Sequence, residues 1–323
     1  MPVPASLPVP MPPDSDYTKQ SYEVPGTRRP GQTGHYRGTA FPFLTLDSPR
    51  AFTNLTEFFD SGRSNVPSGD FPFLGRRPVI SKNPLKYADH YEWWSWDTVD
   101  VRRRQLGSGV NKLFVDGTIR APLRIVGIYS GNSPAMEPLE FEAKNILAAW
   151  GDQVGIKVME MSEVEEIGKA NLKPPAPMYP VVSFWVIMTH GNVANACFAQ
   201  LHGLNFKQLP TAMVFLPLAH CYGRMTVIGI IGRGGSLGFW SNDPLLLLED
   251  MKILRPTMLP AVPRVLNRIY QAGMAAANLP GVKGALFRRA LQVKLDRLHA
   301  SGVQTHPLWD RLVFKKASHA AIS

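Results

Sequence analysis

Residues 211–240 read TAMVFLPLAHCYGRMTVIGIIGRGGSLGFW. Thr211 to Leu216 is a short apolar run closed by Pro217, which has no N–H to extend a ladder, and it reads as a strand. Met225 to Ile231 is a second short apolar run. It is consistent with a strand or with a buried helix, since periodicity does not separate the two at this length. Gly232, Gly234, Gly235 and Gly238 then mark a tight loop between two sheet elements. Apolar segments this dense need cover on both faces, so the stretch belongs to a layered α/β domain. Its polar interruption carries His220 and Tyr222.

The flanks repeat the pattern. Tyr91 to Trp96 alternates as a strand edge does, and Asp97 and Thr98 are caps for a following helix. In that helix Leu106, Val110, Leu113 and Phe114 share a face, with Arg102, Arg103 and Arg104 largely on another. Leu123–Tyr129 reads as a buried strand ending in the turn Ser130–Pro134. A helix from Glu140 to about Trp150, a strand Ile156–Met161 and an acidic helix Ser162–Lys169 follow. Val181 to Met188 is a further apolar run that reads as a buried strand, stopped by Thr189, His190, Gly191 and Asn192, with a helix from Asn192 onward. Helices are expected at Pro244–Leu254, from Val262 to about Ala277, and at Lys283–His299. In the last, Phe287, Leu291, Leu295 and Leu298 form a stripe, with Arg288, Lys294 and Arg297 off it. Residues 1–40 are loop-like and proline-rich, without the basic start and apolar core of a secretory leader.

The chain has 323 residues, 45% of them hydrophobic and 19% charged, enough to bury a core. No apolar run approaches the roughly 20 residues of a membrane span. Two cysteines, Cys197 and Cys221, with no Cys/His cluster, argue against a structural zinc site and for a reducing compartment. The net charge is +10, and residues 251–323 alone hold twelve Lys/Arg against two acids. That quarter reads either as a surface meeting phosphates, acyl-CoA or an anionic membrane, or as a solvated helix face or half of an interface. No basic run interleaved with aromatics points to nucleic acid. The glycine loop is near the dinucleotide pattern G-x-G-x-x-G, but its last glycine is one place late and no acid follows on a strand, so a nicotinamide enzyme rests on this loop alone. Neither G-x-S-x-G nor H-E-x-x-H occurs.

Several blocks together resemble one family. FLPLAHCYGR (215–224), SNDPLLLLEDMKILRPT (241–257), VPRVLNRIY (262–270), GVKGALFRRAL (281–291) and HPLWDRLVF (306–314) are similar to eukaryotic, especially fungal, long-chain fatty-acid–CoA ligases of the AMP-forming acyl-adenylate superfamily. So are YEVPGTRRPGQTGHYRG (22–38), WWSWDTVDVRRRQLGSGVNKLF (93–114), VGIYSGNSP (126–134), PLEFEAKNILAAW (138–150) and EVEEIGKANLKPP (163–175). The resemblance implies an α/β fold: an incomplete large N-terminal domain of the acyl-CoA synthetase type over 41–323 behind a flexible 1–40 lead, with the small C-terminal domain absent. It implies ATP, Mg²⁺ and CoA as cofactors and a long-chain fatty acid as substrate, activated through an acyl-adenylate. It also implies an intracellular, cytoplasmic site of action or peripheral attachment to endoplasmic reticulum, lipid droplet or peroxisome.

The departures matter as much. The family's TH-G-N segment, matched by Thr189, His190, Gly191 and Asn192, follows a Gly/Ser/Thr-rich phosphate loop; here Pro177 to Trp185 stands in its place. His190 then has a structural task, orienting the turn before a helix. An α/β portion is missing near residue 135, as is the loop near 180–186, and Gly223 stands where the family has Glu. The adenine, ribose and metal elements and the catalytic Lys have no counterpart, so no catalytic, cofactor-binding or metal residue carries over. Only acyl-side positions do: His220 and Tyr222 beside the acyl group, Pro263 and Arg264 shaping that site. The ordinary alternatives are a His capping a strand-to-helix turn and an Arg in a salt bridge at a helix start. Exposed sheet edges and apolar faces are expected around 130–140 and 178–190. The chain is then a ligase by ancestry that lacks ATP chemistry, or a non-catalytic remnant kept as a lipid-binding or interaction module.

Overall fold

The computed structural model describes residues 19, 21–39, 52, 54–120, 126–128, 132–133, 141–174, 181–183, 186–201, 206, 208–303 and 305–314. The chain forms two compact units, Met1–Asn242 with Pro256–Met258, and Asp243–Arg255 with Leu259–Ser323.

The first unit opens with an antiparallel hairpin, β1 (Ser21–Glu23) and β2 (Tyr36–Gly38). Thr27 holds it by donating to Val24 O and accepting from His35 N–H. The hairpin lies inside the stretch read as loop-like; three-residue strands are too short to show alternation. Next come α1 (Leu55–Asn65), β3 (Pro72–Arg76), β4 (Val79–Lys82), β5 (Leu85–Tyr87) and β6 (Glu92–Ser95). Then follow α2 (Trp96–Val115), α3 (Phe141–Gln153), α4 (Met161–Lys169), β7 (Val181–Ser183), β8 (Val186–Met188), α5 (His190–Gln200), β9 (Thr211–Val214), α6 (Cys221–Gly232) and β10 (Ser236–Phe239).

The main sheet has the order β6-β3-β10-β9. β10 is parallel to both neighbours, with Leu237 beside Leu74 and Ala212, while β6 pairs antiparallel on β3 at the edge. All four residues of β10 are buried, as a central parallel strand requires. The β9–β10 pairing also settles what 225–231 is. Parallel neighbours need a crossover, and α6 supplies it. The glycine loop therefore joins a helix to a strand, not two sheet elements, with Gly234 at φ 76° in the turn.

Trp96, fully buried at the first position of α2, stacks on Phe73 of β3 with ring centroids 3.9 Å apart. With Val66, Ile230, Leu237 and Phe239 it forms the core between sheet and helices. A second cluster, Phe58, Val193, Ala194, Cys197 and Phe198, joins α1 to α5. The cap of α2 is Ser95, whose Oγ accepts from Thr98 N–H at 3.1 Å, rather than Asp97 or Thr98. α4 crosses α2 at very short range: a Cβ on Gly168 would lie 1.7 Å from Gln105 O, and one on Gly109 1.9 Å from Val164 O. Arg102 grips Glu165 from the same seam and stacks over Trp94 at 4.3 Å.

Three strand expectations change. Residues 156–160 form no strand; Ile156 N–H instead turns back to Gly151 O at 2.8 Å. Leu123–Tyr129 lies mostly outside the described residues, and Val126 to Ile128 are exposed and in no strand. The run 181–188 is a hairpin, Val181 opposite Met188 and Ser183 opposite Val186, rather than one strand. The 130–140 and 178–190 stretches fall largely outside the described residues; nearby, Ile146 and Trp150 on α3 are exposed.

The second unit is helical: α7 (Leu247–Leu254), α8 (Pro263–Met274), a 3₁₀ turn (Ala275–Asn278), α9 (Val282–Ser301), and the turns Pro307–Trp309 and Asp310–Phe314. Its core is Ala277, Phe287, Ala290 and Val313, with Leu291 packed against them. Leu295, expected on the inward stripe, is 38% exposed. Lys294 pairs with Asp310, whose carboxyl sits below the usual range because that ammonium and the His306 N–H bond to it.

Candidate functional site

The turn between β9 and α6 gathers the polar groups. β9 ends where Pro217 removes a donor, and the chain reverses with His220 N–H bonding Pro217 O at 3.0 Å. Asn132 brackets this corner. Its Nδ2 donates to Leu216 O at 2.7 Å, and its Oδ1 accepts from Leu218 N–H at 3.4 Å. Arg224 Nε donates to Leu218 O at 3.0 Å. Sequence reading had Asn132 only as part of a turn; its partners lie more than eighty residues away, so no local signal marked them.

His220 is the N-cap of α6, its Nδ1 accepting from Tyr222 N–H at 3.1 Å. Tyr222 is 37% exposed beside it. The structure thus brings His220 and Tyr222 together at one exposed helix start and gives His220 the capping task named as its ordinary alternative. Gly223 is tied into the same corner: a Cβ there would lie 2.8 Å from Pro217 O and 3.1 Å from Leu216 Cβ. The turn leaves no room for the glutamate that the resemblance expects.

Thr189 caps α5. Its Oγ1 accepts from Asn192 N–H at 3.1 Å, and Asn192 Oδ1 accepts from Thr189 N–H at 3.0 Å. The helix therefore starts at His190, two residues before the expected Asn192. The half-buried His190 has no hydrogen bond at Nδ1 among the described residues, and burial pushes its pKa below the ordinary value. Cys197 lies at 0% exposure in the α1–α5 cluster, its thiol pushed up to about 12 by burial, so it is no nucleophile. Arg233 is buried and has no carboxylate partner among the described residues. Its Nη2 donates to Leu201 O at 2.6 Å, closing the carbonyl end of α5, and burial lowers its pKa.

Pro263 and Arg264 belong to the second unit. Pro263 is the first residue of α8, where its missing N–H costs nothing. Arg264 is exposed and makes no ion pair among the described residues, so the salt bridge expected at this helix start is not there.

A phosphate cradle needs successive free backbone N–H groups, whereas the chain before Thr189 is a hairpin whose strands bond each other. No group of three or more His, Cys, Asp or Glu that could hold a metal ion occurs among the described residues. The Gly223 position is closed to a carboxylate.

Residues 185–301 match the family described as AMP-binding enzyme. The chain is similar to Long-chain-fatty-acid--CoA ligase 1 of Homo sapiens, 26% identical over 397 positions that cover 97% of this chain and 54% of that protein. It is 34% identical to Long-chain-fatty-acid--CoA ligase 5 of Rattus norvegicus over 183 residues, 51% of this chain and 27% of the relative. Among solved structures it is similar in fold to the A-PCP didomain of carboxylic acid reductase from Segniliparus rugosus, with TM-score 0.54 and 15% identity over 85% of this chain and 52% of that one. The chain spans about half the length of the human relative.

Proposed function

We infer that this chain, a relative of the long-chain fatty-acid–CoA ligases among the AMP-binding enzymes, keeps the acyl-side corner of an adenylate-forming site without the phosphate machinery. In a complete ligase a fatty carboxylate attacks the α-phosphate of ATP, pyrophosphate leaves, and the CoA thiolate then takes the acyl group. The leaving pyrophosphate gains charge, which needs fixed donors and a metal. The single observation that supports the reading is the antiparallel pairing of Val181–Ser183 with Val186–Met188 directly before the Thr189 cap.

The 397 aligned positions of the human relative exceed the 323 residues here. That supports internal losses, which we assign to the neighbourhood of residue 135 and to 180–186. By the resemblance His220 and Tyr222 are acyl-side residues of the first unit, Pro263 and Arg264 are carried over separately in the second, and the chain accepts a long-chain fatty acid without turning it over. This makes a lipid-binding or interaction module the second reading, favoured by the ordered His220–Tyr222 corner.

The test is palmitate-dependent ATP–pyrophosphate exchange by the full chain, beside displacement of a fluorescent fatty acid. No exchange above the protein-free rate, with displacement weakened in His220→Ala, is the expected result. Exchange above that rate sinks the loss of ATP chemistry; no displacement sinks the lipid module. Transcripts of the gene sequenced across the codons for Pro134–Glu137 and Tyr179–Val186 separate a spliced form of an active ligase from a chain that has lost the loop.

A further inference from the structure

The chain leaves β9 with a gap in its backbone hydrogen bonding. Among the described residues, the last backbone bond between the β9 and β10 segments is Trp240 N–H on Val214 O at 3.4 Å. Beyond it Leu216 is buried, so its carbonyl needs a partner inside the protein. Pro217 offers no N–H. Asn132 fills the gap from a distant part of the chain, with Nδ2 donating to Leu216 O and Oδ1 accepting from Leu218 N–H. One planar amide thus supplies both the donor and the acceptor that a neighbouring strand would have supplied.

The first turn of α6 is built on these same three residues. His220 N–H bonds Pro217 O at 3.0 Å, and Arg224 Nε bonds Leu218 O at 3.0 Å. Gly223 lies so close to Pro217 O that a Cβ would come within 2.8 Å of it. His220 then caps the helix through Tyr222 N–H. A shift of Leu216–Leu218 therefore carries His220 and Tyr222 with it. We propose that Asn132 is the positioning residue of this corner: it holds Leu216–Leu218 in place, and so fixes where α6 begins and how His220 and Tyr222 meet an acyl chain. Asn132 makes no hydrogen bond to His220 or Tyr222 among the described residues, so it acts through the backbone. The ligand part rests on the acyl-side reading above; the hold on α6 does not.

The experiment is amide hydrogen exchange of the full chain followed by NMR, in the parent, N132A, N132D and G168A, beside displacement of a fluorescent fatty acid. Helical circular dichroism confirms that each variant folds. Asp has the shape of Asn but, as a carboxylate, no donor for Leu216 O. The His220 and Tyr222 amides should exchange about fivefold faster in both Asn132 variants, and displacement should weaken by about the same factor. G168A, destabilised at a distant helix crossing, should leave both amides at the parent rate. An N132D protein with parent rates would show that side-chain volume, not the donor–acceptor pair, matters, and would overturn the proposal. Exchange that quickens equally in G168A, or in neither Asn132 variant, overturns it too. No displacement by the parent removes the acyl-side reading, while the exchange rates still decide whether Asn132 holds the start of α6.

Discussion

His190 shows what a single residue carries beyond its motif. The TH-G-N pattern marked a turn and a structural histidine, and the turn is there as a reciprocal cap between Thr189 and Asn192. The environment of the ring was not legible in sequence, because it is made by elements packed around the start of α5. Burial holds the folded pKa of His190 below its ordinary value. The unfolded chain therefore takes up the proton first as pH falls. Stability from this group is whole above about pH 6.5 and is lost below it, down to the folded pKa. Urea midpoints measured on either side of that range should show a smaller acid-side fall in His190→Gln than in the parent. Parallel pH profiles would remove burial of this ring as a source of acid sensitivity.

At the level of elements, α2 was legible from its apolar spacing and α4 as a short acidic helix, but their crossing was not. Gly109 and Gly168 look like weak points in helices until the opposing backbone is placed against them. Gly168→Ala puts a methyl 1.7 Å from Gln105 O, so the helices must part, and the thermal midpoint should fall by the equivalent of about 1–3 kcal/mol. Gly107 is the internal control: it is exposed on α2 with nothing within 4 Å of its Cβ position, and Gly107→Ala should stabilise by about 0.5–1 kcal/mol. If the two substitutions shift the melt alike, the close crossing is not what the glycines serve. The same limit explains 181–188, where one apolar run is two short strands: which residues of an apolar run reverse direction depends on what they pair with.

For the first unit as a whole, Trp96 of α2 packs into one core with β3, β9, β10 and α6. Trp96→Ala should cost about 3–5 kcal/mol and lower the denaturation midpoint of that unit, followed through its near-ultraviolet aromatic signal. A loss near the cost of a surface change would show that the sheet and helices cohere without it. The amino-acid sequence by itself determined the α/β class, the helices α2 to α4 and α7 to α9, the strands β6 and β9 and the polar corner at His220. Each of these is written in local spacing, in a proline or glycine, or in residue types that are present or missing. Tertiary structure alone decided that 225–231 is a crossover helix, because two parallel neighbours demand one. It also decided that Asn132 braces the His220 corner and that Gly223 cannot admit a longer side chain. Those outcomes depend on backbone atoms brought together from distant parts of the chain.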